Sequence, residues 1–470
     1  MKKLLLLVIA AIAASSLMCC KKKIQETEPQ RPMFWTWLDY RPTMNFDSMC
    51  AVMDSAGIDG LMLNAHTPDD YRRLIPIANK HGITVYAWLW TLNLEHDRKQ
   101  IVAEHPEWLS VNRDGYSLAD SMAYVPHYTF LCPALPEVRQ YLKDRVRSFA
   151  EVEGLEGIAI DFNRFVDVLL PTTRWPRFGI EQDKEYPQWD YGYHPAMIEK
   201  FKALHGYDPR EQEDPAQDTL WRQFRCDQVT EVANELAEVV HECGKVMAAS
   251  PFPTSKVGSR MVRQDWKNWD LDVVFPMVYH NFYTCDPSFI ADCTLENERD
   301  LSGSSTQLYC GMMAFDTTVI FECMDSAFAN GAKGIALFTV QGLRTPSIRS
   351  RFKTYADSMR AVRAEGKLAP RPGRASAADP DPFSHPGVLA RVNKAMQRLM
   401  LPADAPKDAV LPDIRPGEYR LIERNNDLQR YLVTDSMSGR EFKVSFYTFG
   451  DVLFGWRVAA TDTPDRVICQ

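Results

Sequence analysis

A carboxylate and a guanidinium follow an apolar run in the stretch GLEGIAIDFNRF, residues 154–165. Ile158 and Ile160 predict a buried strand, and Asp161 and Arg164 come at its carboxyl end. Ligands of α/β proteins bind outside the carboxyl ends of parallel strands. A carboxylate at that position can act as an acid, a base or a nucleophile. Asp161 is therefore the first candidate for a catalytic group. The alternative is that it only pairs with Arg164 to shape the loop.

Aromatic, amide and carboxylate side chains also follow the other apolar runs of the chain. Sugar rings stack on aromatic side chains, while amides and carboxylates hydrogen-bond the sugar hydroxyl groups. This mixture predicts a carbohydrate site, and for each tryptophan the alternative role is packing inside the fold. Besides Arg164, the candidate substrate contacts are Trp37, Asp39, Asn64, Trp88, Tyr279 and His280.

Other classes of ligand fit the composition poorly. The histidines show no spacing typical of metal ligands, and the strand ends carry neither clustered basic residues nor glycines for a phosphate. A net charge of −8 without a basic stripe argues against nucleic acid as a partner. The sequence therefore predicts a glycan partner and neither a metal nor a cofactor.

Cleavage of a glycosidic bond usually requires two carboxyl groups, one as acid and one as nucleophile or base. With Asp161 as the first, the candidates for the second are Asp316, Glu95 and Asp39. Each of these could instead bind a substrate hydroxyl, cap a helix or lie in a solvated loop. Arg164 is expected to orient Asp161 and to hold its pKa down.

The elements that position these residues are apolar nearly throughout, which is typical of parallel strands covered on both faces. Amphipathic stretches that end on glycine separate them and predict helices. Eight strands alternating with helices predict a (β/α)8 barrel. A doubly wound sheet is the alternative, but no glycine-rich turn follows the first strand. The predicted strands are residues 33–40, 60–65, 84–90, 157–162, 246–252, 272–279, 308–315 and 334–340.

The chain divides into a large and a small part. We assign the barrel to residues 32–366 and a linker rich in proline, alanine and aspartate to residues 367–386. Residues 387–470 read as one helix and four short strands, a small β-rich α+β module. Packing against the barrel is favoured over sugar binding as its role.

The N-terminus, MKKLLLLVIAAIAASSLMCCKKK, joins two lysines to an apolar run too short to span a bilayer. Residues 1–20 resemble a bacterial lipoprotein signal, with Cys20 as the lipidated residue and Cys19 as the alternative. Residues 21–31 would then be a polar tether. This predicts lipid anchoring to a membrane of the bacterial cell envelope, in the periplasm or at the outer surface. A plain secretory signal is the other interpretation.

Several motifs occur in an order known from one family. They are HPEWLSVNRDG, CPALPEVRQYL, EGIAIDFNRF, WKNWDLDVVFPMVY and GAKGIALF. In these motifs the sequence resembles the bacterial family-10-like glycosyl hydrolases, which are often secreted proteins or lipoproteins. The resemblance implies a TIM-barrel glycosidase with Asp161 and Arg164 in its active site. The family includes enzymes that act on cell-wall glycan, while a location in the envelope makes an imported polysaccharide an equally consistent substrate.

Two other functions compete with this interpretation. A noncatalytic glycan-binding lipoprotein stays open, because the sequence does not identify the second carboxyl group. A metal-dependent deacetylase is disfavoured, because the chain lacks an Asp/His ligand set.

Overall fold

The computed structural model describes residues 30–182, 184–314, 319–343, 345–368, 381–425, 427–449 and 452–469. The predicted signal with Cys20, nearly all of the tether, and the candidate Asp316 lie outside the described residues. No helix within these ranges is long and apolar enough to cross a membrane.

Eight parallel strands close into a barrel in chain order, which confirms the predicted (β/α)8 fold. The first strand pairs with the second and with the eighth, and this pairing closes the ring. The strands are β1 (Phe34–Asp39), β2 (Gly60–Asn64), β3 (Thr84–Trp90), β4 (Gly157–Asp161), β5 (Val246–Ala249), β6 (Val273–Val274), β7 (Gln307–Met313) and β8 (Gly334–Phe338).

Helices follow the strands and cover the barrel. In the second of them, local residues fix where the helix begins: Thr67 and Asp70 form a capping box, and a proline occupies the first turn. The helices are α1 (Phe46–Ala56), α2 (Pro68–Lys80), α3 (Arg98–Glu104), α4 (Pro136–Ala150), α5 (Trp175–Phe178), α6 (Pro195–His205), α7 (Thr219–Glu242), α8 (Ser255–Val262), α9 (Ser288–Asp300), α10 (Ile320–Ala329), α11 (Pro346–Ala364) and α12 (Pro386–Met400).

Large aromatic side chains fill the interior of the barrel. Trp35, Trp37 and Tyr86 belong to one buried cluster there, in which Trp35 lies 4.4 Å from Tyr86 between ring centroids. Glycine on the neighbouring strand makes room for them. A Cβ atom on Gly60 would lie 2.2 Å from the Trp35 ring. The interior is thus a packed core and not a channel.

The C-terminal part pairs α12 with a five-stranded antiparallel sheet in the order β13-β12-β11-β10-β9. Its last strand was not predicted, because Pro464 and Asp465 interrupt the apolar pattern there. The strands are β9 (Arg420–Arg424), β10 (Leu428–Thr434), β11 (Glu441–Phe449), β12 (Val452–Ala460) and β13 (Thr463–Cys469).

This sheet packs against loops that follow the barrel strands. Tyr447 meets Trp175 with ring centroids 5.7 Å apart, and Phe454 meets Tyr283 at 5.0 Å. Arg457 forms a 2.6 Å ion pair with a glutamate of the loop after β4. The sheet therefore supports the loops that follow β4 and β6.

A buried ionic network also joins the two parts. Glu185, in the loop after β4, accepts hydrogen bonds from Arg260 and Arg263, and its side chain is 1% exposed. Arg260 extends the network to Asp427 at 2.8 Å, beside the sheet. Asp190 lies 3.6 Å from Arg263. Burial opposes the ionised state of Glu185, but the surrounding arginines prevail and lower its pKa to about 2.

Candidate active site

Asp161 ends β4 at the mouth of the barrel and is 6% exposed. Its Oδ2 accepts a hydrogen bond from the Trp88 indole nitrogen at 3.0 Å, and its Oδ1 accepts one from the Phe162 backbone N–H at 2.6 Å. Phe162 has a φ of 51°, an uncommon conformation for an aromatic residue. The carboxyl group is thus held in one orientation by its own strand end and by the neighbouring strand β3.

Asp161 lines a cavity of about 350 Å³ whose walls are mostly aromatic. Loops that follow β3, β4, β5 and β6 supply these walls, so the cavity lies on the face of the barrel where enzymes of this fold bind substrates. The aromatic lining residues are Tyr124, Tyr128, Phe162, Phe178, Phe252, Tyr279, Phe282 and Tyr283.

The pKa of Asp161 is raised to about 6, because burial outweighs the hydrogen bonds from Phe162 and Trp88 and the nearby Arg164. The expected effect of Arg164 on this pKa has the right sign, but the net shift is upward. Arg164 does favour the ionised form, but its effect is smaller than that of burial.

Arg164 forms its ion pair with Asp167, at 3.3 Å, and not with Asp161. Its guanidinium also donates to the Phe165 carbonyl at 2.9 Å and lies 4.8 Å from the centroid of the Phe162 ring. Asp167 accepts a further hydrogen bond from the Tyr128 hydroxyl at 2.7 Å. Asp167 is thus a second carboxylate that lines the cavity, and it was not predicted from the sequence. Its spacing of three residues from Arg164 was the available signal.

Glu95 lies in the loop after β3, where both carboxylate oxygens accept hydrogen bonds from the Asn64 amide at 2.8 and 3.0 Å. Its pKa is raised to about 7, chiefly by burial and further by the charges of Asp39 and Asp161. Glu95 lines a neighbouring cleft of about 790 Å³ together with His96. The two carboxyl groups thus interact electrostatically, but they line different cavities.

Asn64 and Asp39 are register partners at the ends of β2 and β1. Asn64 is buried, and its amide oxygen lies 3.2 Å from the ring nitrogen of His96. It is therefore placed to orient Glu95. Asp39 is exposed at the mouth. Neighbouring protein atoms still shield part of its carboxyl group from water, and this loss of hydration raises its pKa.

The two tryptophans predicted as sugar platforms belong to the barrel interior. Trp37 is 1% exposed and donates to the Ser250 hydroxyl at 3.1 Å, so it has no ring face open to a ligand. Trp88 is also buried and contributes its hydrogen bond to Asp161. The predicted stacking role of both residues is wrong, because the inward positions of a small barrel must be filled by large side chains.

Tyr279 and His280 follow β6 and differ in their placement. Tyr279 lines the cavity, and burial together with the charge of Asp161 raises its pKa well above the usual value. His280 is buried in the turn His280–Phe282, and its side chain is not part of the cavity lining. Within the described ranges, no group of three or more His, Cys, Asp and Glu side chains is arranged to hold a metal ion.

No protein-family model and no curated protein matches the sequence. Among solved structures, the α-galactosidase AgaA of Geobacillus stearothermophilus has 9% identity and a TM-score of 0.42. That match covers 90% of this chain and 48% of AgaA, so the chain spans about half the length of that enzyme. The glycoside hydrolase domain of PelA from Pseudomonas aeruginosa has 11% identity and a TM-score of 0.37, covering 68% and 97% of the two chains.

A GH30 endoxylanase of Clostridium papyrosolvens C71 has 11% identity and a TM-score of 0.36, covering 90% and 82% of the two chains. All three are glycoside hydrolases. A doubly substituted variant of AgaA has also been solved in complex with stachyose. A shared fold at these identities identifies neither a substrate nor a catalytic residue.

Proposed function

We propose that this protein hydrolyses glycosidic bonds and that Asp161 is one of its catalytic carboxyl groups. The observation that carries the proposal is the position of Asp161: a buried, hydrogen-bonded carboxyl group that lines an aromatic cavity at the carboxyl end of a parallel barrel strand. Aromatic walls suit sugar rings, and this face of the barrel is where such enzymes place their chemistry.

The pKa values divide the roles between two groups. A pKa of about 6 leaves Asp161 mostly ionised at neutral pH, as a nucleophile or general base requires. A pKa of about 7 leaves Glu95 half protonated there, as a general acid requires. Asn64 positions Glu95 through its two hydrogen bonds. Asp39 and Asp316 are the alternatives to Glu95 as the second carboxyl group.

We infer the substrate class and the location from the sequence. A lipid anchor at Cys20 would hold the enzyme in the bacterial cell envelope, where it meets cell-wall glycan or imported polysaccharide. The motif resemblance to the family-10-like glycosyl hydrolases supports the same substrate class.

A noncatalytic glycan-binding protein is the second candidate function. One observation favours it: Asp161 and Glu95 line different cavities. A binding protein would keep the aromatic cavity and need no second carboxyl group.

Digestion of a glycan panel by the native protein, followed by product analysis, separates the two candidates. The panel contains peptidoglycan strands and plant and microbial polysaccharides. We expect new reducing ends from at least one substrate. Binding of a glycan without any product would contradict hydrolysis and favour the binding protein.

The pH dependence of kcat/KM is expected to be bell-shaped. Activity rises as Asp161 ionises through a pH of about 6 and falls as Glu95 loses its proton through a pH of about 7. Initial rates between pH 4 and 9, fitted to two ionisations, measure both limbs. A profile that is flat across the range from 5 to 8 would contradict this assignment.

Replacing Asn64 by alanine is expected to move the basic limb of that profile upward by about one pH unit. The Asn64 hydrogen bonds favour the ionised form of Glu95, and a hydrogen bond to a charged group is worth about 1.5–3 kcal/mol. The acidic limb is expected to stay in place. A loss of activity with both limbs unchanged would indicate that Asn64 acts on the fold and not on Glu95.

A further inference from the structure

Two arginines line the cavity on the segment that precedes and forms α5. Arg174 is half-buried, and its guanidinium carbon lies 3.8 Å from the centroid of the Phe282 ring. Arg177 is exposed and lies 5.7 Å from the Phe178 ring. Both guanidinium groups therefore lie over aromatic rings of the cavity wall.

These arginines differ from Arg164, the third arginine of the cavity. Arg164 is matched by Asp167 at 3.3 Å. In the part of the chain that the structure describes, no carboxylate lies within 4.0 Å of Arg174 or Arg177. Burial and the neighbouring charge of Arg177 both lower the pKa of Arg174, so its ionised form is not fully compensated by the protein. An anion placed beside Arg174 and Arg177 would compensate their positive charge.

The positive charge is local to the cavity. The chain as a whole carries a net charge of −8, which opposes a general attraction for polyanions. The lining residues contain three arginines, while their only carboxylates are Asp161 and Asp167. Because Arg164 and Asp167 are paired, the remaining charged groups among these arginines and carboxylates are two arginines and Asp161.

We propose that the substrate is an anionic glycan whose carboxylate or sulfate group is bound by Arg174 and Arg177. This inference deepens the proposed glycosidase function and rests on it for the turnover arm of its test. The planar guanidinium group binds both kinds of oxyanion through paired hydrogen bonds. Stacking on Phe282 holds Arg174 in place before the ligand arrives, which reduces the ordering cost of binding.

Binding to paired glycans tests the charge preference without depending on turnover. The protein is the full chain with Asp161→Asn. The probes are polygalacturonate and hyaluronate, each beside its carboxyl-reduced form, and a sulfated galactan beside its desulfated form. We expect at least one anionic member to bind 10-fold or more tightly than its neutral counterpart. Equal affinities in all three pairs would overturn the proposal.

The pair that shows the preference identifies the source of the negative charge. A preference confined to the carboxyl-reduced pairs indicates a uronic acid, and one confined to the desulfated pair indicates a sulfate ester. Either result supports the shared chemistry.

Arginine variants assign the preference to residues. Arg174→Gln and Arg177→Gln, each in the Asp161→Asn background, are expected to lose most of the anionic preference and to leave binding of the neutral partner unchanged. Arg72→Gln is the matched control, because Arg72 is an exposed residue of helix α2 that pairs with Asp69 at the protein surface. A preference that persists in the Arg174→Gln, Arg177→Gln double variant would overturn the assignment.

Turnover of the preferred glycan by the native chain separates this proposal from the proposed function. Release of products with a KM raised about 10-fold in Arg174→Gln and kcat little changed supports both. Anionic preference without any release supports the ligand class and contradicts hydrolysis. Release of products without an anionic preference supports hydrolysis and contradicts the proposed ligand class.

Discussion

Asparagine in place of Asp161 is expected to lower kcat/KM for the glycan that the native protein cleaves by roughly 10²- to 10⁴-fold. This is the range for removal of a catalytic acid or base. The change keeps the size of the side chain, and the amide oxygen can still accept the hydrogen bond from Trp88. It removes the negative charge on which nucleophilic or base catalysis depends. Initial rates on the best substrate of the panel measure the effect.

The same assay compares the candidates for the second carboxyl group. Glu95→Gln, Asp39→Asn and Asp316→Asn are measured beside Asp167→Asn, whose carboxylate is already engaged by Arg164. One of the first three is expected to approach the loss seen with Asp161→Asn. Full activity of a folded Asp161→Asn protein would remove Asp161 from the mechanism. Circular dichroism and the unfolding midpoint verify the fold of each variant.

Glutamine in place of Glu185 is expected to lower the free energy of unfolding by about 3–5 kcal/mol, the usual cost of removing one partner from a buried ion pair. The change leaves Arg260 and Arg263 buried around a neutral group. Both arginines are held by the protein away from water, since Arg263 is 0% exposed and Arg260 is 12% exposed. Urea unfolding at pH 7, with the slope compared between variants, measures the loss.

Asp357→Asn provides the matched control, because it makes the same chemical change in an exposed ion pair with Lys353 on α11. Its expected cost in unfolding free energy is below about 1 kcal/mol.

The dependence of stability on acid pH gives a second readout for Glu185. The pKa of Glu185 is lowered in the folded protein, so its contribution is present above its usual value of 4.5 and is lost as the pH falls toward about 2. Glu185→Gln should lose that part of the acid sensitivity, and an unchanged acid profile would contradict the role of the network.

The barrel was predictable because its strands are buried on both faces and therefore read as continuous apolar runs. The strand lengths were less predictable. The predicted strand at residues 272–279 is reduced to Val273–Val274, because Pro276 cannot donate a hydrogen bond to the next strand and the chain turns after it. The first strand kept nearly its predicted length, since its apolar run contains no such residue.

The candidate site was only partly predictable from strand ends. Asp161 was found because it directly follows an apolar run. Asp167 and the aromatic walls come from long loops, whose three-dimensional course has no periodic signal in the sequence. Trp37 was misassigned because strand residues alternate between the interior of the barrel and its surface, and a uniformly apolar run does not reveal which residues face inward.

The antiparallel sheet contacts the loops after β4 and β6 through Tyr447, Phe454 and Arg457, while Asp161 sits on the barrel itself. Under the proposed function, chemistry and substrate recognition would therefore be supported by separate regions of the chain. Sequence changes in the sheet would act first on the wall that carries Arg174, because Asp161 is held by β3 and by its own strand end. If Asp161 is catalytic as proposed, the C-terminal sheet is thus a region where substitutions would change the preferred sugar and leave the cleavage of the bond in place.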